Sequence, residues 1–487
     1  MSTTVPAASS EPSSGLTVRA AYGLMGLWGA YLLLAPTTGF SWIESWHNEQ
    51  RAVQIVLLAA TALATAILLI ASPDAVRARL LLPLWWWIFV ALGSLSACFA
   101  PFVFAAFAEV GLFVLLSMLV ALVAALTAQR PEQMSRLARY AALLIAIAHV
   151  LAVLVRYGAS LHIGKGLDLS VFMLGYANPR FASALYAVLM PFVATVATDA
   201  RERRALRVSA FLALSLLWTI NLGLGTRGIW FAYVLAVPAL MLFGGVPRPL
   251  RLITSIGISA LVGLLIFLVL TNVNSGPAGP TAGVTLPIER LQTLTSRDVL
   301  WSLAWQAIVQ HPLLGLGPMH FSELKSYVGA HPHNWPLQIA AEWGMPALAV
   351  LAFVLARTMI RVRSAWRSGA GVNTEALLAA LVALVYGLVD GNLLMPVSQS
   401  AAALALGVAL GSMNSSSVED GGRHGPSATA AVAAIGALIV LGYAASSLGE
   451  QIDTTARFRA MYPGEWLVPR FWEQGLLLNA GLSTPVR

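Results

Sequence analysis

The segment 331–343 holds the residues best suited to acid–base chemistry. His331 and His333 stand one proline apart, and Asn334, Trp335 and Pro336 follow. Pro336 suits a first helical turn with Asn334 or Trp335 near the cap, which places His333 at a helix N-terminus. The dipole there disfavours imidazolium and attracts anions, so a neutral His333 could act as a general base beside a phosphate site. The alternative is that both histidines are loop residues bonded to backbone, and the segment alone favours that alternative.

Glu342 follows in the same segment, nine residues after His333. On a continuous helix the two side chains would lie on opposite sides. Gly344 and Pro346 end this short helix. We therefore expect Glu342 to anchor the helix or to cap a neighbour, and not to share a proton with His333.

Four arginines at one predicted side of the protein could bind phosphate. Arg180 and Arg227 stand at the ends of apolar segments, and Arg227 lies between two glycines. Arg290 and Arg297 are seven residues apart in 288–310, whose leucines have helical spacing, so both lie on one helix face. Guanidinium groups bind phosphate oxygens through paired hydrogen bonds. Three other basic residues are expected to be ordinary solvated loop residues: Arg51, Lys325 and Arg487.

Other chemical motifs are missing or weak. The sequence has no Walker loop, Rossmann fingerprint, Asp-x-Asp pair or Gly-x-Ser-x-Gly elbow. His311 and His320 lack the spacing of a metal site, and the single cysteine, Cys98, excludes an intramolecular disulfide. Asp390 and Asn392 flank a glycine, where a turn or cap role is the default. The histidine segment and the four arginines are therefore the candidate site.

The elements that must position this site are membrane helices. Of 487 residues, 58% are hydrophobic and 10% are charged, against about 25% charged in an ordinary soluble domain. The mean hydropathy is +0.77, and long apolar stretches recur along the chain. This excludes a soluble globular protein, a disordered chain and a disulfide scaffold. The net charge of +8 is typical of cytoplasmic loops and anionic-lipid contacts, so no nucleic-acid partner is expected.

The pattern predicts an all-α polytopic integral membrane protein with about 12–13 transmembrane helices and one large external loop that contains short helices. With the N-terminus cytoplasmic, every internal loop carries arginine, as the positive-inside rule requires. The predicted spans are residues 20–36, 52–72, 80–98, 103–127, 140–155, 181–198, 208–223, 228–243, 252–270, 346–360, 375–392, 398–413 and 428–446.

Five segments follow from this plan. Residues 1–17 form a disordered tail. Residues 18–270 hold the first nine spans, and residues 346–447 hold the last four. Between them, the external loop 271–345 carries the candidate chemistry. Residues 448–487 are amphipathic and contain Trp466 and Trp472, so we expect this tail at the outer membrane–water interface.

The candidate segments resemble the O-antigen ligase/polymerase superfamily, which includes lipopolysaccharide O-antigen ligases, polysaccharide polymerases and protein O-oligosaccharyltransferases. The resemblance covers roughly residues 170–413. A thirteenth span departs from the twelve-span ligase pattern. The segments that resemble family motifs, in the family's order, are 178–182, 225–228, 297–301 with 311–318, and the histidine motif 333–344.

The resemblance implies a GT-C-like glycosyltransferase of the bacterial inner membrane. Such an enzyme transfers a glycan from undecaprenyl diphosphate to an acceptor hydroxyl at the periplasmic face, with no metal or other cofactor. By similarity, Arg227 and Arg297 hold the diphosphate, and His333 activates the acceptor. Attack from the face opposite the diphosphate inverts the anomeric carbon. The residues expected to support these three are Arg180, Arg290, His331, Asn334 and Glu342.

The acceptor decides the particular activity. Lipid A–core is the favoured acceptor, which implies an O-antigen ligase of lipopolysaccharide biosynthesis. A growing glycan would define a polymerase of polysaccharide biosynthesis, and a Ser or Thr would define a protein O-glycosyltransferase. A transporter of the same lipid is the alternative from another class. The scarcity of mid-span charges and the basic residues gathered at one face favour surface chemistry. A non-catalytic scaffold is the third possibility.

Overall fold

A computed structural model describes residues 13–37, 39, 43, 45–71, 80, 82–163, 169–172, 174–244, 249–273, 297–324, 329–368, 371–413, 426–461, 467 and 469–475. All regular secondary structure in these ranges is helical, which confirms the all-α prediction. The α-helices are α1 (Ser13–Leu34), α2 (Trp46–Ala71), α3 (Leu84–Cys98), α4 (Val103–Gln129), α5 (Pro131–His162), α6 (Leu169–Phe172), α7 (Pro179–Thr198), α8 (Arg204–Gly223), α9 (Gly228–Gly244), α10 (Leu250–Val273), α11 (Arg297–Gln310), α12 (Trp335–Trp343), α13 (Met345–Arg367), α14 (Thr374–Tyr386), α15 (Pro396–Ser412) and α16 (Pro426–Met461).

The structure confirms a polytopic membrane protein. Each predicted span overlaps one of these helices, although span 375–392 runs past the end of α14 at Tyr386. In the described part of the chain, eight helices are long and apolar enough to cross a membrane, and α3, α9, α14 and α15 are shorter apolar helices. The observed helices α5 and α16 are much longer than the predicted spans 140–155 and 428–446. Hydropathy detects only their apolar centres, whereas the backbone stays helical through the polar ends.

The bundle has a buried centre and an apolar outer face. In α4 and in α7, 83% of an apolar stretch of 18 residues is buried inside the protein, whereas in α13 only 11% of such a stretch is buried. α4 packs against α2, α15 and α16, and α7 packs against α5, α8 and α14. The exposed side chains of α13 include Phe353 and Ile360. α4 and α7 therefore form the core, and α13 presents the surface that suits lipid.

The segment 297–345 folds onto one end of the bundle. Leu300 and Ala304 of α11 share a buried apolar cluster with Phe321, which lies in the 3₁₀ helix His320–Glu323, and with Ala340 of α12. The Trp343 ring stacks on Phe89 of α3 with centroids 4.7 Å apart and planes 10° apart. This packing holds α11 and α12 against the membrane helices and fixes the segment between them.

Residues 470–475 of the C-terminal tail lie inside the protein, and residues 448–461 continue helix α16. The sequence places Trp472 at the membrane interface, but this side chain is only 2% exposed. Its indole N–H donates to the Ser447 hydroxyl at 3.0 Å. An amphipathic sequence fits a membrane surface and a groove lined by polar groups equally well, so sequence could not separate the two. Trp466 lies outside the described residues.

Arg51 is also not a solvated loop residue, and that prediction was wrong. Arg51 belongs to α2 and is 1% exposed. Its guanidinium donates to the Phe471 carbonyl at 3.1 Å, to Gln399 Oε1 at 3.0 Å and to the Leu394 carbonyl. These bonds satisfy the buried cation, which a hydropathy profile could not foresee. Lys325 and Arg487, predicted to be solvated, lie outside the described residues.

Candidate active site

His333 is held in a left-handed backbone conformation immediately before α12. Its φ angle is 53°, a region that non-glycine residues occupy at a cost and that occurs preferentially at functional sites. Asn334 is the N-cap of α12, and its side chain accepts the Leu337 N–H at 3.0 Å. The cap therefore turns the chain at His333 and places the imidazole next to the first turn of the helix.

The histidine segment is fastened to the loop between α14 and α15. The Asn334 side-chain amide donates to the Leu388 carbonyl at 3.0 Å. The backbone N–H of Trp335 donates to the Gly387 carbonyl at 3.0 Å, and its indole N–H donates to the Leu384 carbonyl at 3.1 Å. These three bonds fix the start of α12 relative to the end of α14. They therefore also fix the position of His333.

His331 is buried and bonds to the backbone of the histidine segment. It is 3% exposed, and its Nδ1 accepts the His333 N–H at 3.3 Å. Its ring lies directly against Gly391, where an added Cβ would stand 2.2 Å from His331 Cε1. Only glycine leaves room for the ring at this position. His331 is thus a buried residue that contacts the backbone of His333, and its supporting role in the reaction stays a prediction.

Arg180 and Arg227 come from neighbouring elements. Arg180 stands in the first turn of α7, where the Asn178 side chain accepts its backbone N–H at 3.0 Å. Arg227 occupies the turn between α8 and α9. The adjacent Thr226 hydroxyl forms a 2.7 Å hydrogen bond with the Ser183 hydroxyl of α7. This bond ties the turn that carries Arg227 to the helix that carries Arg180.

Arg297, the first residue of α11, completes a group of three guanidiniums. Its Nη2 lies 3.9 Å from Asp390 Oδ2, and its buried Nε has no hydrogen-bond partner among the described residues. Burial lowers the pKa of Arg297, the charges of Arg180 and Arg227 act in the same direction, and Asp390 opposes them. The charges of Arg180 and Arg227 thus both act on the guanidinium of Arg297. Arg290, the fourth arginine of the prediction, lies outside the described residues.

Asp390 is a candidate site residue that sequence analysis missed. It was assigned a turn or cap role, and its Oδ1 does accept the Gly391 N–H at 2.7 Å. The carboxylate is also buried and faces cations. Burial raises the pKa of Asp390, while Arg180 and Arg297 oppose that change. The available signal was a rare carboxylate at the same end of the bundle as the arginines.

The cations also act on His333. Burial contributes most to lowering its pKa, followed by the charges of Arg297 and Arg180, and together they bring it to about 3. The imidazole is therefore neutral at neutral pH. Its Nδ1 has no hydrogen-bond partner among the described residues. An anion that compensates the two arginines would raise the pKa of His333 towards its ordinary range.

Glu342 lies away from His333, at the other end of α12. Its Oε1 accepts the Phe321 N–H at 3.0 Å, and its Oε2 accepts from the Gln338 amide at 3.2 Å. Arg470 of the C-terminal tail contacts Oε2 at 2.6 Å. Burial raises the pKa of Glu342, and Arg470 opposes that change. Glu342 thus anchors the helix, and none of these bonds goes to the imidazole of His333.

No metal-binding cluster was predicted, and the described ranges contain no group of three or more His, Cys, Asp or Glu side chains that could hold a metal ion. His320 uses both ring nitrogens on backbone. Its Nε2 accepts the Phe102 N–H at 2.9 Å, and its Nδ1 lies 2.7 Å from the Pro318 carbonyl. His320 is therefore a structural residue of the loop. Metal independence itself stays a prediction.

Part of the candidate site lies in a region that matches a known family. Residues 210–352 match a family model described as O-antigen ligase. The matched region contains Arg227, Arg297 and His333, and it ends before Asp390. It confirms the resemblance to the O-antigen ligase/polymerase superfamily and supports a glycosyltransferase of the ligase or polymerase type. The chain is thus a multi-pass membrane protein that resembles this group of enzymes. No curated protein matches the sequence.

Proposed function

We propose that this protein is an inverting glycosyltransferase that transfers a glycan from undecaprenyl diphosphate to an acceptor hydroxyl without a metal ion, with lipid A–core as the acceptor. One observation carries the proposal. Arg180, Arg227 and Arg297 come from three separate elements and interact electrostatically with one another or with the neutral His333. Three guanidiniums suit a diphosphate, and a neutral imidazole suits a hydroxyl nucleophile.

The proposed step moves one glycan and one proton. The acceptor hydroxyl gives its proton to an imidazole nitrogen of His333, and its oxygen attacks the anomeric carbon. The bond between that carbon and the phosphate oxygen breaks, and the leaving diphosphate takes the electron pair. Arg227 and Arg297 compensate the charge that develops on the diphosphate. Because the nucleophile and the leaving group lie on opposite faces of the sugar, the anomeric configuration inverts.

The charges around His333 make its pKa depend on whether the donor is bound. In the protein alone, Arg297 and Arg180 help to keep the pKa of His333 low, and a histidine with a pKa near 3 is a weak base. A bound diphosphate neutralises those guanidiniums, so the pKa of His333 rises when the donor is in place. His333 then becomes an effective base in the complex that is ready to react.

The positions of charges along the helices support a site at the periplasmic face of the bacterial inner membrane. Arg180 begins α7, Arg227 precedes α9, and His333 and Asp390 lie on loops at the same end of the bundle. The opposite end carries a different cluster, in which Arg139 contacts Glu375 at 2.6 Å and Asp199 at 3.7 Å. With the N-terminus cytoplasmic, the arginine-rich ends face inward and the site faces outward.

Two enzyme alternatives and one non-enzyme alternative share the donor. A polymerase would use the growing glycan as acceptor, and a protein O-oligosaccharyltransferase would use a Ser or Thr. A transporter would move the lipid-linked glycan between leaflets. The match to the O-antigen ligase family model favours a transferase over a transporter, and the acceptor distinguishes the three transferases.

The experiment uses the full chain in lipid nanodiscs with a diphosphate-linked oligosaccharide donor and EDTA. Separate reactions contain lipid A–core, excess donor alone, and an acceptor protein. Glycan on lipid A–core is the expected result, with inverted anomeric configuration by NMR. Chain extension from donor alone would indicate a polymerase, and a glycosylated protein a protein transferase. Donor movement between leaflets of proteoliposomes, with no transfer in any reaction, would contradict an enzyme.

A further inference from the structure

The C-terminal tail returns to the end of the bundle that holds the candidate active site. Residues 470–474 are buried, and Arg470 is 1% exposed. Its Nη2 lies 2.9 Å from Glu109 Oε1 of α4 and 2.6 Å from Glu342 Oε2 of α12. One guanidinium nitrogen thus joins a membrane helix to the helix that follows His333.

Other residues hold the tail on its opposite side. His47 Nε2 lies 3.2 Å from the Phe471 carbonyl, which also accepts from Arg51 at 3.1 Å. The Glu473 N–H donates to Asn48 Oδ1 at 2.7 Å. The tail is therefore fixed to α2 while Arg470 reaches α4 and α12. Together with the Trp472 bond to Ser447 of α16, these contacts to four separate helices distinguish this segment from a tail that merely rests on the surface.

We infer that Arg470 is a positioning residue for the reaction, which acts through Glu342 on the helix that orients His333. This inference rests on the proposed function. Arg470 makes its ion pairs with Glu109 and Glu342, away from the diphosphate ligands, so it is not a catalytic residue. Its effect passes along α12, whose first turn is fastened next to His333 and whose last turn carries Glu342.

The last turn of α12 has few other charged restraints. The Leu316 N–H donates to the Ala341 carbonyl at 2.8 Å, and the Gly317 N–H donates to the Glu342 carbonyl at 2.9 Å. These bonds tie α12 to its own loop, and the Ser96 hydroxyl of α3 donates to the same Glu342 carbonyl at 2.9 Å. Arg470 supplies the charged link from Glu342 to α4. Without that link, neutral contacts hold the last turn of α12 to the bundle, among them the Ser96 hydrogen bond and the stack of Trp343 on Phe89. The helix is then less firmly held, and a shift of about 1 Å at a reacting group costs about 10²-fold in rate.

The charge balance makes the arginine necessary. Glu109 and Glu342 are 3% and 0% exposed, and both face the same guanidinium nitrogen. Without the guanidinium, two buried carboxylates face each other and must either take up a proton or separate. Separation moves α12 away from α4, which is the displacement that the inference requires.

The test compares Arg470→Gln with Arg457→Gln in the full chain. Arg457 is an exposed arginine of α16 whose Nε donates to the Asp453 carbonyl at 3.3 Å, so it controls for loss of an arginine near the tail. We expect Arg470→Gln to lower kcat about 10²-fold and to leave the KM for the donor within about threefold, because the diphosphate ligands are untouched. A kcat equal to that of Arg457→Gln, or a loss confined to KM, would overturn the inference.

A second variant covers the case in which Arg470→Gln does not fold. Glu342→Gln keeps an acceptor for the Phe321 N–H and leaves Arg470 paired with Glu109. The buried cation therefore keeps one anionic partner, and the variant should fold. It should still lower kcat, and more than Glu109→Gln, which keeps the link to α12. A larger loss of kcat in Glu109→Gln than in Glu342→Gln would contradict the claim that Arg470 acts through Glu342.

Hydrogen–deuterium exchange separates this inference from the proposed function, because it needs no activity. In Arg470→Gln or Glu342→Gln, peptides over 331–343 should exchange faster while those over α7 stay protected. This result together with an inactive parent would refute the proposed function alone. Unchanged exchange over 331–343 in an active parent would refute the positioning role alone. A uniform loss of protection would mean a purely structural role, and it too would refute the inference.

Discussion

Replacement of Asp390 by asparagine tests whether the arginines form one charged site. The amide oxygen of the new side chain can still accept the Gly391 N–H, so Asp390→Asn removes the charge and keeps the shape. The Arg297 and Asp390 side chains are 17% and 4% exposed and lie 3.9 Å apart. Two unit charges at that distance attract by about 4 kcal/mol at an effective dielectric constant of about 20. We therefore expect the free energy of unfolding to fall by roughly 2 to 4 kcal/mol, since two guanidiniums lose their counterion.

Inorganic diphosphate should reverse this loss. An anion replaces the missing negative charge, so it should stabilise Asp390→Asn more than the parent protein. Removal of about 1.4 kcal/mol of repulsion from Asp390 corresponds to about tenfold tighter binding. The assay is thermal unfolding in nanodiscs across a diphosphate titration. Transfer should nevertheless slow, because Arg297 loses the carboxylate that orients it.

Asp453→Asn is the matched control, because Asp453 is exposed on α16, a helix that carries none of the three site arginines. This variant should melt like the parent and show the same diphosphate shift. An Asp390→Asn protein with the parent's melting midpoint and the parent's response to diphosphate would refute the idea that Asp390 is the counterion of a diphosphate site.

Three further predictions rest on the same geometry. Arg227→Lys and Arg297→Lys should each lose most transfer activity, because lysine keeps the charge but not the two-pronged contact; a fully active lysine variant in the nanodisc assay would exclude bidentate binding. The pH profile of kcat/KM for the donor should show no loss of activity on acidification near pH 6.5, because the pKa of His333 in the protein alone is about 3 and the base stays neutral. The pH profile of kcat should show its acidic decline at a higher pH than that of kcat/KM, since the bound diphosphate raises the pKa of His333. Between pH 3 and 6.5 the unfolded chain binds more protons at His333 than the folded protein does, so His333 makes the free energy of unfolding rise with pH across that range. A kcat/KM midpoint near pH 6.5 would contradict the low pKa of His333 and therefore both of these predictions. Gly391→Ala should lower kcat by up to about 10²-fold, because its Cβ would stand 2.2 Å from His331 Cε1 and displace the ring that accepts the His333 N–H; unchanged kinetics would show that His331 does not position the segment.

The sequence alone was sufficient to predict the membrane helices and the start of the short helix α12 after His333. Long apolar stretches determine helices in a bilayer because each backbone group must bond within its own segment. Asn334 and Pro336 mark the start of α12 by side-chain chemistry that needs no tertiary contact. The expectation that Glu342 would anchor the helix followed from helical spacing alone, and the structure shows that role in its contacts with Phe321 and Arg470.

Sequence failed where distant residues meet. Asp390 reads as a turn residue until α14 brings it to Arg297, 93 positions earlier in the chain. Arg51 reads as a solvated cation until the Phe471 carbonyl and Gln399 surround it. Arg470 gave no sequence signal, since its partners Glu109 and Glu342 lie 361 and 128 residues away. Long-range ion pairs depend on topology, which local patterns do not encode.

The transfer rate of His333→Ala measures the central claim most directly. His311→Ala is the control, because His311 is an exposed histidine at the end of α11. Both variants and the parent are assayed in nanodiscs with EDTA and whichever acceptor the parent glycosylates. We expect His333→Ala to bind the donor normally and to transfer about 10²- to 10⁴-fold more slowly, with His311→Ala at the parent's rate. Full transfer by His333→Ala would contradict the account, because the neutral imidazole beside the arginines would then have no role in the reaction.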